Sequence, residues 1–230
     1  MTWKQVFTSS IGRKIVMALS GVFLILFLVV HAGINACIWA NDDGMMFNKA
    51  AHFMGSTIVI RILEVGLFVF FFIHIIQGLL LVAANRSKRD ISYAVQYGNR
   101  GSKWYSRSMG LLGTIILLFL IVHWIHFWIP SRFTGIPEPE VPLPDGETIH
   151  NLYALMKDVF SDLWVVILYV VGCISLGYHL AHGFQSAFRT LGVYNKKYNL
   201  MLSSLGYAFS IIVPLAFAMM PVSMYAHWVK

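Results

Sequence analysis

Charge of either sign is scarce in this chain, and acid most of all: ten aspartates and glutamates stand against seventeen lysines and arginines in 230 residues. Only 12% of the residues are charged while 58% are hydrophobic, and the mean hydropathy is +0.69, so the composition excludes a water-soluble globular domain. Cysteine is nearly missing too. The two present, Cys37 and Cys173, fall at different expected depths and are not expected to pair. No C-x-x-C-H and no Cys/His zinc spacing occurs, which excludes covalent c-type haem attachment and a structural zinc site. A nucleotide-binding glycine motif and a Ser/His/Asp arrangement are also lacking, so the sequence assigns no substrate chemistry in water to this chain.

What is present in abundance is long apolar sequence. Crossing the hydrocarbon takes about 20 mostly apolar residues, and five segments qualify, at about 15–38, 58–84, 108–129, 163–188 and 200–225. Closed barrels alternate apolar and polar residues, whereas "IVMALSGVFLILFLVV" is almost continuously apolar. The expectation is an all-α integral membrane protein, a five-helix transmembrane bundle in one domain over residues 1–230. The first segment is too long for a signal sequence and lacks a clear cleavage site, so it is read as retained.

Basic residues mark the cytoplasmic side of short loops. The amino terminus, "NRSKRDISYAVQYGNRGSKWYSR" and "RTLGVYNKKYN" hold most of them and one acid, Asp90, whereas the other side, with "NDDG" and "GIPEPEVPLPDGE", holds nearly all the acids. This places the amino terminus in the cytoplasm and the carboxyl terminus outside. The net charge of +7 then needs no nucleic acid; the basic loops suit anionic lipid or a soluble partner on the cytoplasmic face. The Pro-rich stretch 130–147 and the amphipathic "TIHNLYALMKDVFSDLW" are the long excursions expected outside the membrane, and Pro214 is expected to kink the fifth helix.

Six of the nine histidines fall within the spans: His31, His74, His123, His126, His179 and His182. A single one of these is adequately explained as a hydrogen bond between helices. Six on four helices point to function, because ionisable groups in hydrocarbon are costly. Depth sorts them. His31 and His123 lie roughly four to five helical turns beyond Arg13 and Arg107 at the cytoplasmic ends of their helices, while His74 and His179 lie only about three turns from Arg86 and Arg189. Two levels result, each with histidines from two helices, and opposed neutral imidazoles at matched depth are what bis-histidine ligation of a haem iron requires. Depth alone leaves His126 open as a substitute for His123, and His182 for His179. His74 and His179 each precede a glycine by four residues, Gly78 and Gly183, where a porphyrin edge is able to approach the backbone or helices simply pack closely.

The runs "FNKAAHFMGSTIVIRILEVGLFVFFFIHIIQG", "LIVHWIHFW" and "GCISLGYHLAHGFQSAF" resemble the di-haem cytochrome b anchor subunit of succinate:quinone oxidoreductases, of the single-chain, five-helix bacterial type. The resemblance covers nearly the whole chain. It implies that His31 and His123 bind the iron of a distal haem b near the outside, and that His74 and His179 bind the iron of a proximal haem b near the cytoplasm. It also implies an inner-membrane subunit of the respiratory chain that carries electrons between an iron-sulfur subunit, itself joined to a flavoprotein, and a membrane quinone, menaquinone by resemblance. His123 and His179 are then the ligands, with His126 and His182 their neighbours.

Arg61 and Glu64 lie three apart near the outer end of the second helix, hence on one face. They read equally as a mutual ion pair or as part of a quinone site, where a carboxylate serves proton movement; His126 and His52 are the alternative quinone residues. Arg13, Lys14, Arg86, Lys88, Arg89 and Arg189 are candidates to pair haem propionates, although topology alone accounts for most of them. Trp3, Trp39, Trp104, Trp128, Trp164 and Trp228 read as an interfacial belt. A di-haem cytochrome b of another quinone-linked dehydrogenase, a haem-free proton-coupled transporter, and a scaffold with packed histidines are the competing readings.

Overall fold

A computed structural model describes residues 2, 7, 9–87, 103–144, 146–193 and 195–229. Its long helices are α1 (Ser10–Ala36), α3 (Ile58–Ser87), α5 (Met109–His123), α7 (Leu163–Thr190) and α8 (Lys196–Tyr225). Shorter helices are α2 (Met45–Ser56), α4 (Trp104–Arg107) and α6 (Leu152–Val159), and a two-residue hairpin joins β1 (Val141–Pro142) to β2 (Thr148–Ile149). Five helical stretches are long and apolar enough to cross a bilayer. Helix satisfies every backbone group within its own segment, so apolar sequence of this length has no cheaper conformation in hydrocarbon.

The expected spans match these helices within a few residues, with α1 beginning five residues early. The third is different in kind. Regular α-helix stops at His123 and the chain continues through wider π-helical turns, Trp124–Trp128 and Pro130–Thr134. The Ile129 N–H reaches the Trp124 carbonyl across that wider turn. Pro130 has no N–H to offer His126, and its ring crowds that carbonyl, so widening the turn relieves the clash. Pro214 and a second proline, Pro221, lie inside α8, which remains helical through both.

The expectation that 130–164 holds the long excursions outside the spans is corrected by α2. Its twelve residues are too short to cross a membrane, and "NDDG" reads only as a turn. Asn41, Asp43 and Gly44 all adopt left-handed backbone, and Asp42 Oδ2 accepts the Met46 N–H at 2.8 Å, which starts the helix. Gly44 is required there twice over: its φ is +77°, and a Cβ would overlap the Tyr153 ring.

Proximity along the backbone divides the chain into two compact units, and each long helix contributes one stretch to each. The first comprises 1–27, 66–115 and 175–211; the second comprises 28–65, 116–174 and 212–230. In the first unit, Phe23 stacks on Phe70 with centroids 4.5 Å apart, and Gly206 admits Phe184 so closely that a Cβ would lie 2.7 Å from its ring. Small residues at such crossings let membrane helices approach. In the second unit, α2 and α6 pack on helix ends around Ile38, Phe47, Tyr153, Met156, Phe160 and Met224. Two asparagines fasten it. Asn151 Oδ1 caps α6 by accepting from Ala154 N and also takes a bond from Asn48 Nδ2 at 3.1 Å, while Asn48 Oδ1 accepts from Tyr153 N at 2.9 Å.

Candidate functional site

Each unit contains one pair of histidines in ring contact. In the first unit, His74 on α3 meets His179 on α7 with ring centroids 6.2 Å apart and planes at 62°. In the second, His31 on α1 meets His123 on α5 at 5.9 Å and 90°. The structure thus brings His74 to His179 and His31 to His123, the pairs the resemblance implies, where depth alone leaves His126 and His182 open. His126 is occupied elsewhere: its Nδ1 lies 3.1 Å from Tyr169 Oη, and the two rings stack at 5.9 Å with planes 6° apart. His182 is half-buried on α7, and it is His179, one turn before it, that meets His74.

The surroundings of the first pair are glycine and one hydroxyl. A Cβ on Gly21 of α1 would lie 3.6 Å from His74 Cε1, and one on Gly113 of α5 would lie 3.9 Å from His179 Cε1. Of the two expected from the sequence, Gly183 has its open side 4.0 Å from His179 Cδ2, whereas Gly78 faces Met17. The sequence reading also passed over Ser20, which is completely buried and lies 3.1 Å from His74 Nδ1 through its Oγ. Its signal was there: Ser20 is the only polar side chain in "IVMALSGVFLILFLVV".

Aromatic rings surround the second pair. Phe217 lies against His31 at 5.5 Å, and Phe119, Phe127 and Tyr169 surround His123 at 5.8, 5.4 and 6.0 Å. The nearest amide to His31 Nδ1, Asn35 Nδ2, is 3.4 Å away, and its shorter bond, 2.8 Å, goes to the His31 carbonyl. At His123 and His179 the Nδ1 atoms are buried with no hydrogen-bond partner among the described residues. A polar bond between helices through Nδ1 therefore does not explain these two rings.

In each pair two imidazoles from different helices stand with ring centroids 5.9 or 6.2 Å apart, a donor set that would suit a haem iron. Among the described residues no group of three or more His, Cys, Asp or Glu side chains gathers for a metal. Haem iron needs only two protein ligands, because the macrocycle supplies the other four.

The remaining candidates separate. Glu64 does pair with Arg61, at 3.4 Å, but its stronger partners lie elsewhere: Trp128 Nε1 donates to Oε1 at 2.7 Å, and Arg132 donates through Nε at 3.1 Å and Nη2 at 3.2 Å. Both partners come from the π-helical turns, which periodicity read as plain helix or loop, so the cluster was invisible in the sequence. Trp128 is therefore more than an interfacial ring. His52 lies exposed on α2, with its carbonyl accepting from Ser56 Oγ. Lys88, Arg89 and Trp3 lie outside the described residues. Near the start of α5, Lys103 Nζ donates to Tyr207 Oη at 2.6 Å; this bond and that to Tyr105 hold its ammonium above the ordinary lysine range.

No family model, no curated protein and no solved structure matches this chain.

Proposed function

We propose that this chain is the di-haem cytochrome b membrane anchor of a quinone-linked dehydrogenase complex, of the succinate:quinone oxidoreductase type its sequence resembles. One observation supports the reading: two pairs of histidines, each from two different helices, stand with their rings in contact. His74 and His179 would hold one haem b, and His31 and His123 the other. When bound, each haem supplies a one-electron carrier in a region that side chains alone cannot make conductive.

The chain's residues do the rest. The aromatic wall of Phe119, Phe127 and Phe217 keeps water from the second pair. Reduction of a quinone consumes two electrons and two protons, so its site needs polar groups beside an apolar channel. His126 and Tyr169, bonded to each other, with Tyr169 in ring contact with His123, are the polar groups in that position. Glu64 and Arg61 are assigned instead to fastening the π-helical turns, because Trp128 and Arg132 already engage both Glu64 oxygens. The amino terminus lies in the cytoplasm, where basic loops receive an iron-sulfur subunit and its flavoprotein; the dicarboxylate chemistry belongs to those partners. The membrane is the bacterial inner membrane, and the quinone is menaquinone.

The test is a pyridine haemochrome assay with a reduced-minus-oxidised spectrum on the purified complex. Two haems b per chain are expected, falling to one in His74→Ala, His179→Ala, His31→Ala and His123→Ala. A properly assembled complex without haem overturns the reading and favours a haem-free transporter.

A further inference from the structure

The two imidazoles of the first pair differ in one respect, and Ser20 is the cause. Its Oγ donates its single hydrogen back along α1, to the Val16 carbonyl at 2.8 Å, with the Met17 carbonyl at 3.2 Å. A serine buried in an apolar helix has no water to turn to, and its shortest contact runs back along its own helix to Val16. The same oxygen lies 3.1 Å from His74 Nδ1. With Nε2 holding an iron, as the di-haem reading has it, Nδ1 carries the ring hydrogen and donates it to Oγ. Across the pair, His179 Nδ1 is buried and has no hydrogen-bond partner among the described residues.

Resting on the di-haem reading, we propose that Ser20 is a positioning residue that fixes the His74 tautomer and ring orientation and sets the potential of that one haem. The hydroxyl helps aim Nε2 away from α1. A hydrogen bond accepted from the far nitrogen of a ligating imidazole makes the ligand more basic and favours the more highly charged metal. The haem held by His74 accordingly has a lower midpoint potential with the hydroxyl than without it. An interhelical bond of purely structural value holds α1 to α3 and leaves the potential where it is.

Redox titration of the visible spectrum, on the assembled complex carrying wild-type chain, Ser20→Ala or Ser20→Thr, separates these. In Ser20→Ala, one midpoint potential is expected to rise while the other stays, the mobile one being that of the haem lost in His74→Ala. Ser20→Thr keeps the hydroxyl and is expected to keep the wild-type potential. Two haems with both midpoints unchanged in Ser20→Ala, or both displaced together, overturn the proposal. If Ser20→Ala does not retain the haem, Ser20→Thr decides: wild-type haem content and potential support the hydroxyl's role, and loss or displacement overturns it. A wild-type complex with no haem removes the di-haem reading itself, an outcome distinct from two haems with unmoved potentials.

Discussion

Arg132 grips Glu64 at two points, with Nε 3.1 Å from Oε1 and Nη2 3.2 Å from Oε2. Gly55 makes room for that guanidinium, since a Cβ there would stand 3.3 Å from Nη1. Two-point pairing fixes direction as well as distance, which is what a segment of wider, less regular helical turns needs at its end.

Breaking that grip should loosen the π-helical turns. Glu64→Ala and Arg132→Ala are each expected to lower the stability of the purified complex by about 1–3 kcal/mol, read as a lower melting temperature. The double variant should lose much less than the sum, because both changes remove one interaction. Full additivity would show that the two residues act separately. Glu64→Gln should retain quinone turnover, since the carboxylate is assigned to structure.

His123 and His126 are one helical turn apart, yet only one of them faces His31. His126→Ala should keep two haems per chain and lose the bond to Tyr169, whereas His123→Ala should keep one. Haem content by pyridine haemochrome checks both, and loss of a haem in His126→Ala with retention in His123→Ala would exchange their assignments.

Asn48 is 1% exposed and joins α2 to α6 through both ends of its amide. Asn48→Ala leaves the Tyr153 N–H buried without a partner and should cost about 1–3 kcal/mol. Denaturation of the complex monitored by tryptophan fluorescence would show it. Asn48→Asp keeps the acceptor for Tyr153 N but turns a second oxygen toward Asn151 Oδ1 and should be destabilising as well.

Tyr153 carries a hydroxyl that is buried and unpartnered. Burial, with Asp43 and Asp42 nearby, raises its pKa above the usual value of about 10. The folded chain therefore holds the phenolic proton more tightly than the unfolded one. Stability from this group is complete below pH 10 and declines as pH rises above it. Tyr153→Phe should be neutral or slightly stabilising at pH 7, because it removes a polar atom that has no partner, and should flatten the alkaline limb of a stability-against-pH curve. A loss of stability at pH 7 would mean that the hydroxyl is satisfied after all.

The sequence by itself determined the five helices and the order of the histidines along them. Continuous apolar runs in lipid permit only helix, and a rise of about 1.5 Å per residue turns sequence position into an expected level. Rotation about each helix axis was beyond it, because the runs are apolar on every side and carry little amphipathic signal. Tertiary structure decided there that His31 meets His123 while His126 turns to Tyr169. It also decided the partners of Glu64, since a π-helical turn shifts every later side chain around the axis and brings Trp128 and Arg132 to the carboxylate. Ser20 belongs to both levels. Its isolation in an apolar run is plain in the sequence, but only packing of α1 against α3 brings its hydroxyl to 3.1 Å from His74 Nδ1.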